Sequence, residues 1–193
     1  MWRICKTYKV SLQEVAEINN IKNASQIKAG DKIFIPGAKK VLHVPAVSKD
    51  KKVTRKSSSK RKTKRKIVKH TGMFHWPVKG KVVKKFGIHK GMKHDGINIK
   101  APRGTLVRAS YSGKVVFSSN LEGYGNTIII QHKNSYATVY ANNKVNLVKK
   151  GQRISRGQKI AKVGTSGGKS KTPYLHFQIR RWNHPRNPLF YLP

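Results

Sequence analysis

The chain has 193 residues, with 43 Lys and Arg against 6 Asp and Glu, and its formal net charge is +37. This length holds one medium-sized domain plus a small module, and the charge favours polyanionic partners such as nucleic acid, anionic lipid or carboxylate-bearing cell-wall polymer. The single cysteine, Cys5, excludes an internal disulfide and a cysteine-based zinc cluster, and we expect it to be a small buried apolar residue. No run of about twenty apolar residues is present to span a bilayer.

The first part of the chain carries the signals of a short amphipathic helix. Apolar residues recur at helical spacing after Ser11, and Glu14 stands three positions further on, as in a capping box. These signals predict a helix over residues 11–19. Residues 27–37 then predict a turn followed by a strand that Pro36 ends.

This segment resembles a LysM module, the small βααβ domain that binds N-acetylglucosamine-containing glycans. The matching stretches are residues 8–12, 19–21 and 27–36. The match begins inside the module's first helix, so we expect its first strand, and an export signal, upstream of Met1. Because a lone strand has no partner for its backbone groups, this partial module, residues 1–37, is expected to be marginal or disordered. Its glycan-binding residues stay unassigned, and a helical hairpin without a ligand is the alternative.

A basic segment follows the module. Between Lys39 and Lys69 there are 14 Lys or Arg and one acid, Asp50, with few large apolar residues. Such a composition cannot offset its ordering entropy by burial, and it predicts a flexible linker over residues 38–70. A second interpretation, compatible with the first, is a polybasic arm that holds an anionic membrane or wall surface.

The remainder, residues 71–193, is rich in short β-runs separated by glycine. This pattern, with almost no long helical periodicity, predicts a twisted antiparallel β-domain with an open groove across its sheet. The fold class is therefore mainly β, with a small partial α+β module in front. The predicted strands lie at residues 82–83, 106–109, 113–117, 126–130, 136–140, 159–164 and 175–179.

One of these strands carries a candidate site. Along a strand from residue 174 to 181, Tyr174 and His176 point to one face, while Leu175 and Phe177 face the core. In a hydrolytic metal site, such a spacing allows one residue to bind the metal and its neighbour to handle protons or an oxyanion.

A second candidate stretch contains His94 and Asn98, four residues apart. On a straight strand they would lie about 13 Å from each other, too far to share a metal with bonds near 2 Å. Gly96 between them can bend the chain and bring them together.

At these residues the chain resembles the lysostaphin and LytM-type peptidoglycan endopeptidases, zinc enzymes that cut the peptide cross-links of bacterial cell wall. The resemblance implies that the metal-ligand positions fall on His94, Asn98 and His176, and that two further histidines of the family fall on Asn142 and Tyr174. It extends over some 120 residues in colinear order through residues 74–78, 86–87, 94–99, 101–105, 123–127, 140–142, 148–152, 157–158, 163–167 and 175–177.

The departures from that family all weaken catalysis. Asn98 is a neutral amide where the family has a carboxylate, Asn142 cannot exchange a proton near neutral pH, and Tyr174 is a poor base at pH 7. The carboxylates of residues 71–193 are Asp95, expected to face away from His94, and Glu122 in a turn. The other histidines are interpreted as surface or turn residues: His70, His75, His89, His132 and His184.

The resemblance extends to degenerate members of the family, the NlpD- and EnvC-like envelope proteins. It implies a protein of the periplasm or outer surface that binds peptidoglycan and activates an N-acetylmuramoyl-L-alanine amidase in cell separation. The groove residues Asn98, Tyr124, Asn142 and Tyr174 would then form a docking surface. No enzymatic activity and no cofactor are expected, with zinc as the metal if one binds.

Two other functions stay open. One is an active zinc endopeptidase with an altered site of His94, Asn98 and His176. The other is a non-enzymatic basic module for wall polymer. Nucleic acid is not expected as a partner, because no recognition helix or basic–aromatic alternation is visible and the charge is concentrated in the linker.

Overall fold

The computed structural model describes residues 1–28, 30–44, 67, 70, 72–168 and 171–193. The chain divides into two compact units, residues 1–68 and 69–193. Most of the predicted linker lies outside the described residues, so that prediction stays a prediction. Among the described residues, no helix has the length and apolar character of a membrane span.

The N-terminal unit is built on two short helices. Helix α1 is Trp2–Thr7 and helix α2 is Leu12–Ile18, followed by a 3-10 turn at Ala24–Gln26. The predicted helix cap is confirmed, since Ser11 Oγ accepts a hydrogen bond from the Glu14 N–H at 3.4 Å. Cys5 is 3% exposed, as predicted, and packs in the core of this unit.

The prediction of a strand that ends at Pro36 is wrong, because the described residues of this segment form no β-ladder. The side chain of Asn19 takes the place of a partner strand. Its Nδ2 donates to the Phe34 carbonyl and its Oδ1 accepts from the Phe34 N–H, both at 2.7 Å. The Leu42 N–H also donates to Tyr8 Oη at 2.8 Å. In residues 1–28 and 30–44, side chains therefore stand in the place of a neighbouring strand, and the expected marginal stability of the module stays a prediction.

The C-terminal unit is a β-domain, as predicted. Within the described residues, ten of its strands form one antiparallel sheet and two form a small hairpin. The hairpin strands are β2 and β3. The strands are β1 Lys81–Lys84, β2 Gly87–His89, β3 Met92–His94, β4 Ile97–Lys100, β5 Leu106–Arg108, β6 Gly113–Leu121, β7 Gly125–Gln131, β8 Tyr136–Asn146, β9 Arg153–Ile154, β10 Lys159–Val163, β11 Tyr174–Arg181 and β12 His184–Arg186, and a 3-10 turn follows at Pro188–Phe190.

Strand β11, which carries Tyr174 and His176, lies in the interior of the sheet. The main order is β1-β4-β11-β8-β7-β6-β9, so that β11 lies between β4 and β8. All seven predicted strands are confirmed. Five strands were missed: β2, β3, β9 and β12 have two or three residues each and β4 has four, too short for a period-two pattern to be recognised in sequence.

Alternate side chains of β11 point into the core. Leu175 and Phe177 are fully buried, as the sequence predicted. An aromatic cluster around Phe74 closes one end of the core, and His132 belongs to it, with ring centroids 5.8 Å from Phe74. The interpretation of His132 as a surface residue is therefore wrong: its ring nitrogens are held by Ser112 and Thr138 inside the protein.

Candidate functional site

Strands β4 and β11 place the first two site residues directly opposite each other. Asn98 and His176 are cross-strand partners in the antiparallel register. His176 Nδ1 and Asn98 Oδ1 are 2.8 Å apart, so the ring N–H donates to the amide oxygen. The two predicted metal-ligand positions are thus brought together, and they are joined by a hydrogen bond.

The other nitrogen of His176 fixes the direction of that bond. Gln178 Nε2 donates to His176 Nε2 at 2.9 Å, so the proton of the neutral ring must lie on Nδ1. Arg180 in turn donates to Gln178 Oε1 at 3.0 Å, which keeps the amide group of Gln178 turned toward the ring. A directed chain of hydrogen bonds therefore runs from Arg180 through Gln178 and His176 to Asn98.

His94 completes the group from the end of β3. Its ring centroid lies 5.1 Å from that of His176, in an edge-to-face arrangement. His94 Nε2 is buried without a hydrogen-bond partner. Burial, followed by the positive charge of Lys84 and by His89, lowers the pKa of His94 to about 4, against a smaller opposing hydrogen bond from Asn98. The ring is neutral at pH 7.

Gly96 allows His94 and Asn98 to meet, as the sequence predicted. A Cβ atom at this position would stand 2.4 Å from the Phe177 carbonyl oxygen and 3.1 Å from the ring of His176. Only a residue without a side chain lets the start of β4 pass this close to β11.

The side chain of Asn142 links separate backbone segments by hydrogen bonds, which we call the Asn142 bracket. Its Nδ2 donates to the carbonyl oxygens of Gly164 and Tyr174, at 3.1 and 2.8 Å, and its Oδ1 accepts from the Gly167 N–H at 2.8 Å. The residue has a φ of 66°, a left-handed conformation that asparagine tolerates better than most residues. Its amide is therefore fully used in holding three chain segments together.

Two tyrosines line the groove beside these groups. Tyr174 shares a face with His176, as predicted, and burial raises its pKa above the ordinary value. The ring of Tyr124 lies 5.6 Å from the ring of His176. The groove has a volume of about 730 Å³ and is lined by Val83, Lys84, Met92, Lys93, His94, Asp95, Asn98, Lys100, Gly123, Tyr124, Asn142, Gly167, Thr172, Tyr174 and His176.

The expected orientation of Asp95 is wrong. The residue lies in the bend between β3 and β4, where strict strand alternation does not apply, and it lines the groove next to His94. Its carboxylate forms an ion pair with Lys93 at 3.2 Å.

Sequence reasoning missed the groove residues that only strand register brings together. Lys84 lies directly opposite Asn98, and Lys100 lies opposite Tyr174. Both lysines come from stretches with no motif. Gln178 was open to prediction, since it follows His176 at the spacing of two that keeps side chains on one face.

A zinc ion of the LytM type fits these residues poorly. Two donors on one tetrahedral zinc, bound at about 2.0–2.1 Å, lie roughly 3.3 Å apart, whereas Asn98 Oδ1 and His176 Nδ1 are in direct hydrogen-bond contact. In this hydrogen-bond arrangement Nδ1 of His176 carries the proton, so binding a metal there would require the other tautomer. Among the described residues, no group of three or more His, Cys, Asp or Glu side chains is placed to hold a metal.

Comparison with known proteins places this domain. Residues 92–188 match peptidase family M23, and residues 1–36 match the LysM domain. The chain is 37% identical to the uncharacterized lipoprotein YgeR of Escherichia coli, over all of this chain and 77% of YgeR. The chain belongs to peptidase family M23.

Other members of family M23 resemble parts of this chain. The murein hydrolase activator NlpD of Escherichia coli is 43% identical over 62% of this chain, which spans 31% of NlpD. A zinc-containing peptidase from Vibrio cholerae has the same fold, with a TM-score of 0.56, 32% identity, and coverage of 63% of this chain and 41% of that one. The M23 fold thus occurs in proteins described as peptidases and in proteins described as activators.

The LysM unit has a groove of its own. It has a volume of about 410 Å³ and follows the end of α2 and the 3-10 turn. Its lining is mostly polar, formed by Asn19, Asn20, Ile21, Lys22, Asn23, Gln26, Ile27, Asp31, Lys32 and Ile33.

Proposed function

We propose that this chain is a non-hydrolytic envelope protein that binds peptidoglycan and activates an N-acetylmuramoyl-L-alanine amidase during cell separation. One observation carries the proposal: two of the three predicted metal positions, and one of the two predicted proton-transfer positions, are committed to other bonds. Asn98 and His176 are hydrogen-bonded to each other, and the amide of Asn142 holds backbone groups. The groove beside them stays open and offers a shaped surface to a partner.

The relatives support an envelope role. NlpD is described as a murein hydrolase activator and YgeR as a lipoprotein. By this likeness, we place the chain in the cell envelope. Residues 1–37 would hold glycan, residues 38–70 would tether, and residues 71–193 would act on the amidase.

The chemistry of the groove argues against turnover. General acid–base groups contribute about 10²–10⁴-fold each, and neither Asn142 nor Tyr174 can serve as a base at pH 7. Burial raises the pKa of Tyr174 further from the working range. Without a base or a well-formed metal site, the domain keeps the shape of an M23 groove and lacks the means to activate water.

A dye-release assay on labelled peptidoglycan tests this proposal. We expect no release by the chain alone and a several-fold faster release by an amidase when the chain is added. Tyr124→Ala, in the groove, should reduce the acceleration, and Trp182→Ala is the matched control, because that exposed ring does not line the groove. Unchanged amidase rates with the wild-type chain would refute the proposal.

One observation favours a second candidate, a residual zinc endopeptidase. His94 Nε2 is buried, unpartnered and neutral, as a metal ligand would be. Stoichiometric zinc by elemental analysis, together with peptide cross-link cleavage by the chain alone, would favour this function over activation. Peptidoglycan binding without either activity would instead leave the wall-polymer-binding module.

A further inference from the structure

The strand register makes the groove-bearing face of the M23 sheet positively charged. The register aligns Lys84, Asn98 and His176 in one row across β1, β4 and β11, with Lys100 and Tyr174 in the next row. Directly opposite residues lie on the same face, with Cβ atoms about 4.5–5.5 Å apart. Two ammonium groups therefore flank the position where the family would carry a carboxylate.

Within the described part of the chain, no acid neutralises these two lysines. Of the described groove-lining residues, Asp95 is the one carboxylate, and Lys93 already pairs with it at 3.2 Å. Among the described residues, neither Lys84 nor Lys100 has an ion-pair partner. The groove thus keeps an excess of two positive charges.

A buried polar atom lies beside one of these lysines. His94 Nε2 has no hydrogen-bond partner although it is buried, and such an atom costs free energy until a ligand or water satisfies it. It lies beside the positive charge of Lys84, which acts on the same ring. Because Nε2 is closed off from the groove, a carboxylate in the groove would pair with the ammonium group of Lys84 and would reach Nε2 only after the His94 ring rotates.

The rim of the groove adds an apolar component. Val83 is 53% exposed and Met92 is 70% exposed, and both line the groove near the lysines. Methionine adapts its shape to irregular partners, and exposed apolar groups beside cations suit a segment that alternates acidic and apolar side chains. Sugar hydroxyls would make little use of these two side chains.

We infer that the M23 groove of this chain is a receptor for an acidic amphipathic segment of its protein partner, with a carboxylate anchored by Lys84 and Lys100. The inference rests on the proposed function, since it supplies the chemistry by which an amidase would be recognised. It adds that recognition is electrostatic at the former metal position, so affinity should fall steeply with salt.

A peptide probe tests the groove without the amidase. We would titrate a peptide of alternating Glu and Leu, and its Gln-for-Glu counterpart, into the full-length chain and follow backbone amide shifts by NMR. The Glu peptide should shift Lys100 and Tyr124, and the Gln peptide should bind at least about tenfold more weakly. Equal affinities, or no shifts at Lys100 and Tyr124, would overturn the inference.

Charge reversal supplies the matched variants. The double variant K84E/K100E should lose peptide binding. The control K114E/K159E should keep it, because it changes the net charge equally at exposed strand positions that do not line the groove. Circular dichroism checks that both variants fold. Equal losses in the two variants would show that net charge alone attracts the peptide, and the inference would fail.

The amidase then separates this inference from the proposed function. A carbodiimide couples a lysine amine to a carboxylate with loss of water, so mass spectrometry of the treated complex should find Lys84 or Lys100 joined to an Asp or Glu of the amidase. Activation that K84E/K100E does not reduce would keep the proposed function and reject the inference. Peptide binding without amidase activation would do the reverse. Displacement of the peptide by a soluble muropeptide at lower concentration would assign the carboxylate to the wall and overturn the choice of a protein partner.

Discussion

Replacing Asn142 by alanine should cost the M23 domain a large part of its stability. The side chain satisfies two carbonyl oxygens and one N–H, on Gly164, Tyr174 and Gly167, and it is only 3% exposed. At about 1 kcal/mol for each hydrogen bond, and about 1–2 kcal/mol for alanine in the left-handed conformation, the free energy of unfolding should fall by roughly 4 kcal/mol. Most domains have only about 5–15 kcal/mol in total.

Two further variants separate the causes. Asn134→Ala is the matched control, because Asn134 also has a left-handed backbone, with φ of 56°, but is exposed. It should cost only the conformational part, about 1–2 kcal/mol. Asn142→Asp keeps the shape and the acceptor for Gly167, but it faces two carbonyl oxygens without a donor, so it should also destabilise the domain by about 2 kcal/mol or more.

Urea unfolding monitored by tryptophan fluorescence measures these differences. A Trp2→Phe background removes the reporter of the LysM unit and leaves Trp76 and Trp182 in the M23 domain. A difference below about 1 kcal/mol between Asn142→Ala and Asn134→Ala, or an Asn142→Asp variant as stable as wild type, would refute the bracket interpretation. Confirmation would show that Asn142, which the family resemblance aligns with a catalytic histidine, serves the fold.

Three other perturbations address separate parts of the chain. Asn98→Asp should raise zinc affinity in calorimetric titration by more than about tenfold, since even outer-shell changes alter metal affinity about 10- to 100-fold; equal affinities would contradict the carboxylate argument. Burial lowers the pKa of His132, so the folded state holds the ring neutral. The free energy of unfolding should therefore fall as pH drops below the ordinary pKa of 6.5. Urea unfolding at about pH 7.5 and 5.5 measures this fall, which His132→Gln should reduce. Asn19→Ala removes both hydrogen bonds to Phe34, and the Phe34 amide should exchange at least about tenfold faster in hydrogen-exchange mass spectrometry; unchanged protection would refute its role as a substitute strand.

The strands of the M23 domain were largely predictable because their signal is local. Period-two alternation and glycine punctuation predicted seven strands, and the alternation along residues 174–181 correctly assigned Tyr174 and His176 to the groove and Leu175 and Phe177 to the core. The N-terminal strand failed for the opposite reason. An extended segment needs a neighbour, and the neighbour here is a single amide side chain, which no periodicity reveals.

The sequence by itself determined which chemical groups this protein can use. An amide at position 98, an amide at 142 and a phenol at 174 supply neither a carboxylate nor a base at pH 7 whatever the fold does, because their protonation is a property of the groups. The sequence also determined the large positive charge.

The tertiary structure decided what those groups do instead. Only the β1–β4–β11 register brings Lys84 and Lys100 beside Asn98, from chain positions with no motif to mark them. Only the packing around β8 shows that Asn142 is a bracket, and only the bend at Gly96 turns Asp95 into the groove. Pairing between distant strands depends on the whole sheet. Residues that no sequence motif marks can therefore become neighbours in the folded protein.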